Sequence, residues 1–119
     1  MKVKGDFELW LKKNKEKKEE LEKNRKNVLK KTINSLNKLA NQFGFHKAYI
    51  FGSVIKTGKF GQNSDVDIAI KGLNKFMQYK LVASLSSLID REVDVILLED
   101  ECHFKDVIIK EGLKWKKRA

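Results

Sequence analysis

Residues 50–70 read Ile-Phe-Gly-Ser-Val-Ile-Lys-Thr-Gly-Lys-Phe-Gly-Gln-Asn-Ser-Asp-Val-Asp-Ile-Ala-Ile. An apolar run stops at Gly52-Ser53, a glycine-rich polar loop follows, and a second apolar run opens with Asp65-Val66-Asp67. Side chains two apart on a strand share a face, so Asp65, Asp67 and Ala69 are expected on one side and Val66, Ile68 and Ile70 on the other. An acidic pair at the mouth of an otherwise apolar strand is costly unless something cationic sits on it. Strand, tight glycine turn and helix start also make a phosphate cradle, in which Gly52 lets the backbone approach closely. Ser53 would cap the short helix or donate its hydroxyl to a phosphate oxygen. Taken singly, Gly-Ser is an ordinary turn and the two aspartates are loop-end caps. Together they point to metal-assisted chemistry on a phosphate, since Mg²⁺ favours carboxylate oxygens plus substrate phosphates.

A third carboxylate strengthens that reading. Val93 to Leu98 is a strand in which Asp94 alternates against Val93 and Val95, an expensive place for an unpaired acid. If this strand lies beside the one opened by Asp65, all three carboxylates share a face.

The rest of the chain is helical by pattern. Residues 7–43 contain no Gly or Pro, with Asp6 a candidate N-cap and Gly44 a terminating C′ glycine. From Lys12 to Lys26 the sequence is almost wholly charged, with Lys12 and Glu16, Lys15 and Glu19, Lys18 and Glu22, and Glu22 and Lys26 set for i,i+4 pairing, so this half is expected to be solvated. From Leu29 onward, Ile33, Leu36, Ala40 and Phe43 form one apolar stripe that packs on the core. A single straight helix would be roughly 55 Å long, so it either projects or breaks near Asn24 to Asn27. Phe7, Trp10 and Leu11 at its far end either fold back or stand out as a partner-binding knob. Further on, Ala48 to Phe51 is a short buried strand and Val54 to Thr57 a single helical turn stopped by Gly58. Asn74 can cap a helix carrying Met77, Leu81, Leu85 and Leu88, and a last helix runs through Phe104, Val107, Ile108 and Ile109 to Gly112. Leu113 to Ala119 remains as a basic tail around Trp115. The expected architecture is α+β, an α/β-like layer with a small mixed sheet of three or more strands and helices packed on one face. A basic helical extension over residues 1–44 would precede a domain over 45–119.

Net charge is +10 over 119 residues, concentrated in the first 47, and it attracts polyanions without choosing among them. Alternating Glu along the helix argues against a nucleic-acid surface. No apolar run is long enough to cross a bilayer and no signal-peptide pattern opens the chain, so a cytoplasmic protein with no membrane association is expected. The one cysteine, Cys102, excludes an internal disulfide and is expected to be a small semi-buried residue. His46 and His103 are expected at or near the surface, without a metal role.

Gly52-Ser53, eleven residues, Asp65-x-Asp67 and Asp94 within Val-Asp-Val-Ile resemble the minimal nucleotidyltransferases (MNT) of the DNA polymerase β superfamily. The resemblance covers about residues 45–115. It implies the polymerase β palm-like fold and transfer of a nucleoside monophosphate, AMP from ATP, to a hydroxyl with release of pyrophosphate. By matched position Gly52 and Ser53 would hold the triphosphate, and Asp65 and Asp67 would bind two Mg²⁺ ions. Asp94 would complete the site of the ion that activates the acceptor. Where the family often carries an Arg after Gly-Ser, this chain has Val54-Ile55-Lys56-Thr57-Gly58, leaving Lys56 to contact a phosphate.

Larger relatives carry an extra domain for the acceptor, so here the acceptor is expected on a partner. The resemblance implies a HEPN-type toxin neutralised by an MNT antitoxin, with self-association through the N-terminal helices as a further expectation. The alternative is a non-catalytic nucleotide-binding antitoxin or assembly subunit that acts by direct binding.

Overall fold

The computed structural model describes residues 3–100 and 103–118, with side chains from residue 5 onward; the expectation for Cys102 lies outside the described residues. Helix α1 (Val3–Phe43) is followed by β1 (Lys47–Phe51), a 3₁₀ turn (Gly52–Ile55) and β2 (Val66–Lys71). A second 3₁₀ turn (Lys75–Met77) leads into α2 (Gln78–Ile89), and β3 (Val93–Leu97), α3 (Lys105–Glu111) and β4 (Leu113–Lys116) complete the chain. The sheet has four strands in the order β3-β2-β1-β4. Strand β1 is antiparallel to both β2 and β4, and β2 is parallel to β3.

Period-two alternation splits the sheet into two faces. Ala48, Ile50, Val66, Ile68, Ile70, Val95 and Leu97 join Leu36, Phe43, Leu81 and Leu85 in the main core, beneath α1 and α2. The opposite face carries Tyr49 and Ala69 with Leu98 and Ile108 in a smaller core under α3. Helices therefore lie on both sides of the sheet, where one side was expected. That second face is also the face of Asp67 and Asp94, so α3 covers only part of it.

Helix α1 runs unbroken through Asn24 to Asn27. It starts before Asp6, which lies in its first turn and serves as an acidic complement to the helix dipole instead of an N-cap. Gly44 at φ +80° donates its N–H to the Ala40 carbonyl and ends the helix as a left-handed C′ residue. The first half projects: Phe7, Trp10 and Leu11 are about half exposed, with the Phe7 and Trp10 rings stacked at 6.1 Å, and they do not fold back. The anticipated i,i+4 ion pairs do not form within 4.0 Å among the described residues; Glu22 instead pairs with Arg25 at 3.0 Å. Exposed i,i+4 pairs contribute too little to hold two long side chains in one geometry.

Four further expectations shift. The 3₁₀ turn sits two residues earlier than Val54 to Thr57. Asn74 does cap, but its Oδ1 accepts from Phe76 N–H at the short 3₁₀ turn ahead of α2. In α2 the buried stripe is Leu81, Leu85 and Ile89, while Leu88 is exposed. The tail around Trp115 is a fourth strand whose Trp115 opposes Ala48 of β1.

Candidate active site

The site begins with register. Asp67 faces Phe51 of β1 on one side and Asp94 of β3 on the other. Adjacent strands lie about 4.8 Å apart, so the two carboxyls stand side by side on one face of the sheet. Burial first, then the charge of Asp94, then that of Asp65, pushes the Asp67 carboxyl above its ordinary value. A carboxylate raised by its own neighbours lacks a counter-charge.

Gly52 closes over Asp67. Its φ is +79°, and a Cβ there would stand 2.5 Å from Asp67 Oδ2. No other residue tolerates both the left-handed backbone and the contact. The loop backbone thus passes directly over the carboxylate, as required if a phosphate is to touch both.

The remaining candidates fall around this centre. Asp65 precedes β2 and lines a polar cleft of about 560 Å³ together with Asn24, Lys31 and Arg91. Lys56 is exposed and, with Gly52, Ile55 and Ile96, borders a smaller apolar cleft of about 230 Å³ under α3. The first cleft is walled by α1 and the end of α2, the second by α3 and the end of β1. Ser53 sits inside the 3₁₀ turn, which has no side-chain cap, so the capping role is not taken; its carbonyl accepts from Lys56 N–H at 3.0 Å. A turn of four residues has little dipole, so any affinity for phosphate rests on close backbone amides and Lys56.

Among the described residues no three Asp, Glu, His or Cys side chains gather closely enough to hold an ion alone. The donor set is a close pair, Asp67 and Asp94, with Asp65 beside it. That fits Mg²⁺, which is commonly held by one or two carboxylates together with substrate phosphates and water, better than an ion needing an all-protein cage. His46 and His103 are both exposed, and neither belongs to such a cluster.

Three side chains absent from the sequence-based set shape the loop between Gly52 and Asp65. Arg25 Nη1 donates to the Val54 carbonyl at 3.1 Å and Nη2 to Thr57 Oγ1 at 3.4 Å, while Glu22 Oε1 accepts from Gly58 N–H at 2.8 Å. Arg91 Nη1 donates to the Gly61 and Ser64 carbonyls at 3.1 and 2.7 Å, and its guanidinium lies 4.3 Å from the Phe60 ring centroid. A signal existed in composition: only three of the 26 basic residues are Arg, and two of them occupy places that need a planar fork of donors.

This fold, with its glycine turn over paired strand aspartates, is that of a nucleotidyltransferase. A family model described as polymerase beta nucleotidyltransferase matches residues 31–114, and the chain belongs to that family. Among solved structures it is similar to a toxin–antitoxin complex with AMP-PNP, at 26% identity and TM-score 0.59 over 72% of this chain and 74% of that one. It is also similar in fold to the toxin–antitoxin MntA-HepT, at 24% identity and TM-score 0.54 over 72% and 71% of the two chains. No curated protein matches.

Proposed function

We propose that the protein transfers AMP from ATP to a hydroxyl on a partner protein in a Mg²⁺-dependent reaction, and that it acts as the antitoxin of a HEPN-type toxin. The observation that carries this reading is Asp67 beneath the Gly52 backbone and in register with Asp94. Gly52, Ser53 and the following amides bind the triphosphate, and Lys56 at the rim meets its charge. Asp65, Asp67 and Asp94 would hold the metal. When bound, Mg²⁺ neutralises phosphate charge and makes the acceptor hydroxyl more acidic. Asp94, exposed at the open edge of the site, accepts the hydroxyl proton as the acceptor oxygen bonds to the α-phosphorus. The bond from that phosphorus to the bridging oxygen breaks and pyrophosphate leaves. Catalysis of this kind is positioning and electrostatics, with no covalent enzyme intermediate.

The similar toxin–antitoxin complexes, one of them with AMP-PNP, support the partner and the nucleotide. So does the exposed Phe7, Trp10 and Leu11 surface at the far end of α1. The test is to incubate the protein with its partner, ATP and Mg²⁺ and weigh the partner by mass spectrometry while measuring pyrophosphate. Nucleotide addition is expected with wild type and a loss of at least about a thousandfold with Asp67→Asn. An unmodified partner that is nevertheless neutralised, by wild type and Asp67→Asn alike, would favour inhibition by direct binding through the exposed helix.

A further inference from the structure

We infer that Glu22 and Arg25 form a brace that sets the backbone of the nucleotide loop, making them positioning residues for the site; the inference rests on the nucleotide-binding reading of Gly52 and Ser53. The loop between β1 and β2 contains Gly52, Gly58 and Gly61, so ordering it costs more conformational entropy than ordering a loop of ordinary residues. Its own backbone bonds are few, running from Lys56 to Ser53, from Lys59 to Lys56 and from Ser64 to Gly61. A phosphate cradle requires amides that already point at the ligand, and a loop of this composition does not supply that by itself.

Helix α1 supplies it. Val28, Leu36, Leu39, Ala40 and Phe43 fasten the second half of α1 to the core, and Glu22 and Arg25 stand within two turns before that anchor. Arg25 is buried, with 8% of its surface exposed, which is costly for a charge unless its donors are matched. They are matched: Nε and Nη2 donate to the Glu22 carboxylate at 3.0 to 3.2 Å, and Nη1 donates to the Val54 carbonyl. Glu22 in turn accepts from Gly58 N–H at 2.8 Å. The segment that follows Ser53 is thus held at both ends, Val54 and Gly58, with Lys56 between them. The apolar seam of α1 does not need these two residues. The hydrogen bonds of the two side chains run to each other and to the loop, and none goes to Asp65, Asp67 or Asp94.

The experiment measures binding of Mg·AMP-PNP to the full chain by calorimetry for wild type, Glu22→Ala, Glu22→Gln, Arg25→Gln and the remote control Lys38→Ala. Thermal melting and amide exchange at Gly52, Ser53 and Gly58 are recorded on the same samples without nucleotide. Glu22→Ala and Arg25→Gln are expected to weaken binding by about tenfold or more while melting cooperatively, with faster exchange at the three amides. Glu22→Gln keeps a carbonyl for Gly58 N–H and is expected to stay within about threefold of wild type. Folded Glu22→Ala or Arg25→Gln protein that binds like wild type overturns the brace. Should Arg25→Gln fail to fold, Thr57→Val and Glu22→Ala decide the matter by the same readout. A wild-type chain that does not bind Mg·AMP-PNP overturns the nucleotide reading itself, an outcome distinct from wild-type binding with unaffected variants.

Discussion

Asp67 concentrates the electrostatics of the candidate site in one side chain. Burial, Asp94 and Asp65 hold its carboxyl above the ordinary value of 3.8, so between the unfolded and folded values the folded protein retains a proton that the unfolded chain has released. A raised carboxyl stabilises the fold fully below the unfolded value, and that contribution is lost as pH rises through the folded one. Without divalent cations, Asp67→Asn is therefore expected to melt above wild type at neutral pH, with the gap closing toward acid pH. Added Mg²⁺ should stabilise wild type and leave the variant nearly unmoved. Melting curves across pH, with and without the ion, check both halves; a variant no more stable than wild type at neutral pH removes the repulsion from the account. This residue was legible in the sequence because strand periodicity assigns Asp65 and Asp67 a face, and because an acid between Val93 and Val95 requires an explanation. Arg25 was not. Its neighbours in the chain are Asn24 and Lys26, and only the docking of a loop twenty-nine residues away onto α1 turns a charged helix position into a buried one.

Among the elements, β4 shows where sequence patterning runs out. Leu113-Lys-Trp-Lys116 has the alternation of a strand but only four residues, and Trp115 alone among them is buried. With one apolar side chain inward and basic residues around it, such a segment reads equally well as a tail. Tertiary contacts decide it. Trp115 Nε1 donates to Asn37 Oδ1 of α1 at 2.8 Å, and its ring lies 5.5 Å from that of Phe45. The strand therefore closes the edge of β1 and ties it to the helix above. Trp115→Ala is expected to cost about 3 kcal/mol or more, as truncation of a buried large aromatic does. Trp115→Phe keeps most of the ring packing, leaves Asn37 without its donor, and should cost about 1 kcal/mol. Urea unfolding of the two variants separates these effects; equal losses would mean that the hydrogen bond, and not the packing, fastens the strand. Helix α2 makes a related point, since Leu88 and Ile89 are both apolar and only the final turn's geometry selects Ile89 for the core.

At the scale of the whole molecule, α1 sets the dimensions. Its 41 residues make a rod of about 60 Å at the α-helical rise, and the chain extends 64 × 28 × 25 Å. The Cα radius of gyration is 17.7 Å, whereas a compact chain of this length would have about 13 to 14 Å. The excess is the first half of α1, where residues 5–20 bury almost nothing and expose Phe7, Leu9, Trp10 and Leu11. Lys, Glu and Leu sustain that helix by propensity, and no packed face supports it. The apolar tip of this charged rod is left uncovered by the rest of the chain, the kind of exposed patch at which another chain can dock. X-ray scattering of the dilute protein alone is expected to give a radius of gyration near 18 Å for a monomer, and a value near 14 Å would mean that the rod folds back. Removing residues 3–17 should bring the radius toward the compact value. The melting temperature should then move by no more than about 3 °C, because the core begins at Val28 and the Glu22 and Arg25 contacts remain in place. If that truncation unfolds the protein, the exposed half of α1 is structural after all. If the protein stays folded and no longer neutralises the toxin proposed as its partner, the rod is the arm by which that partner is held.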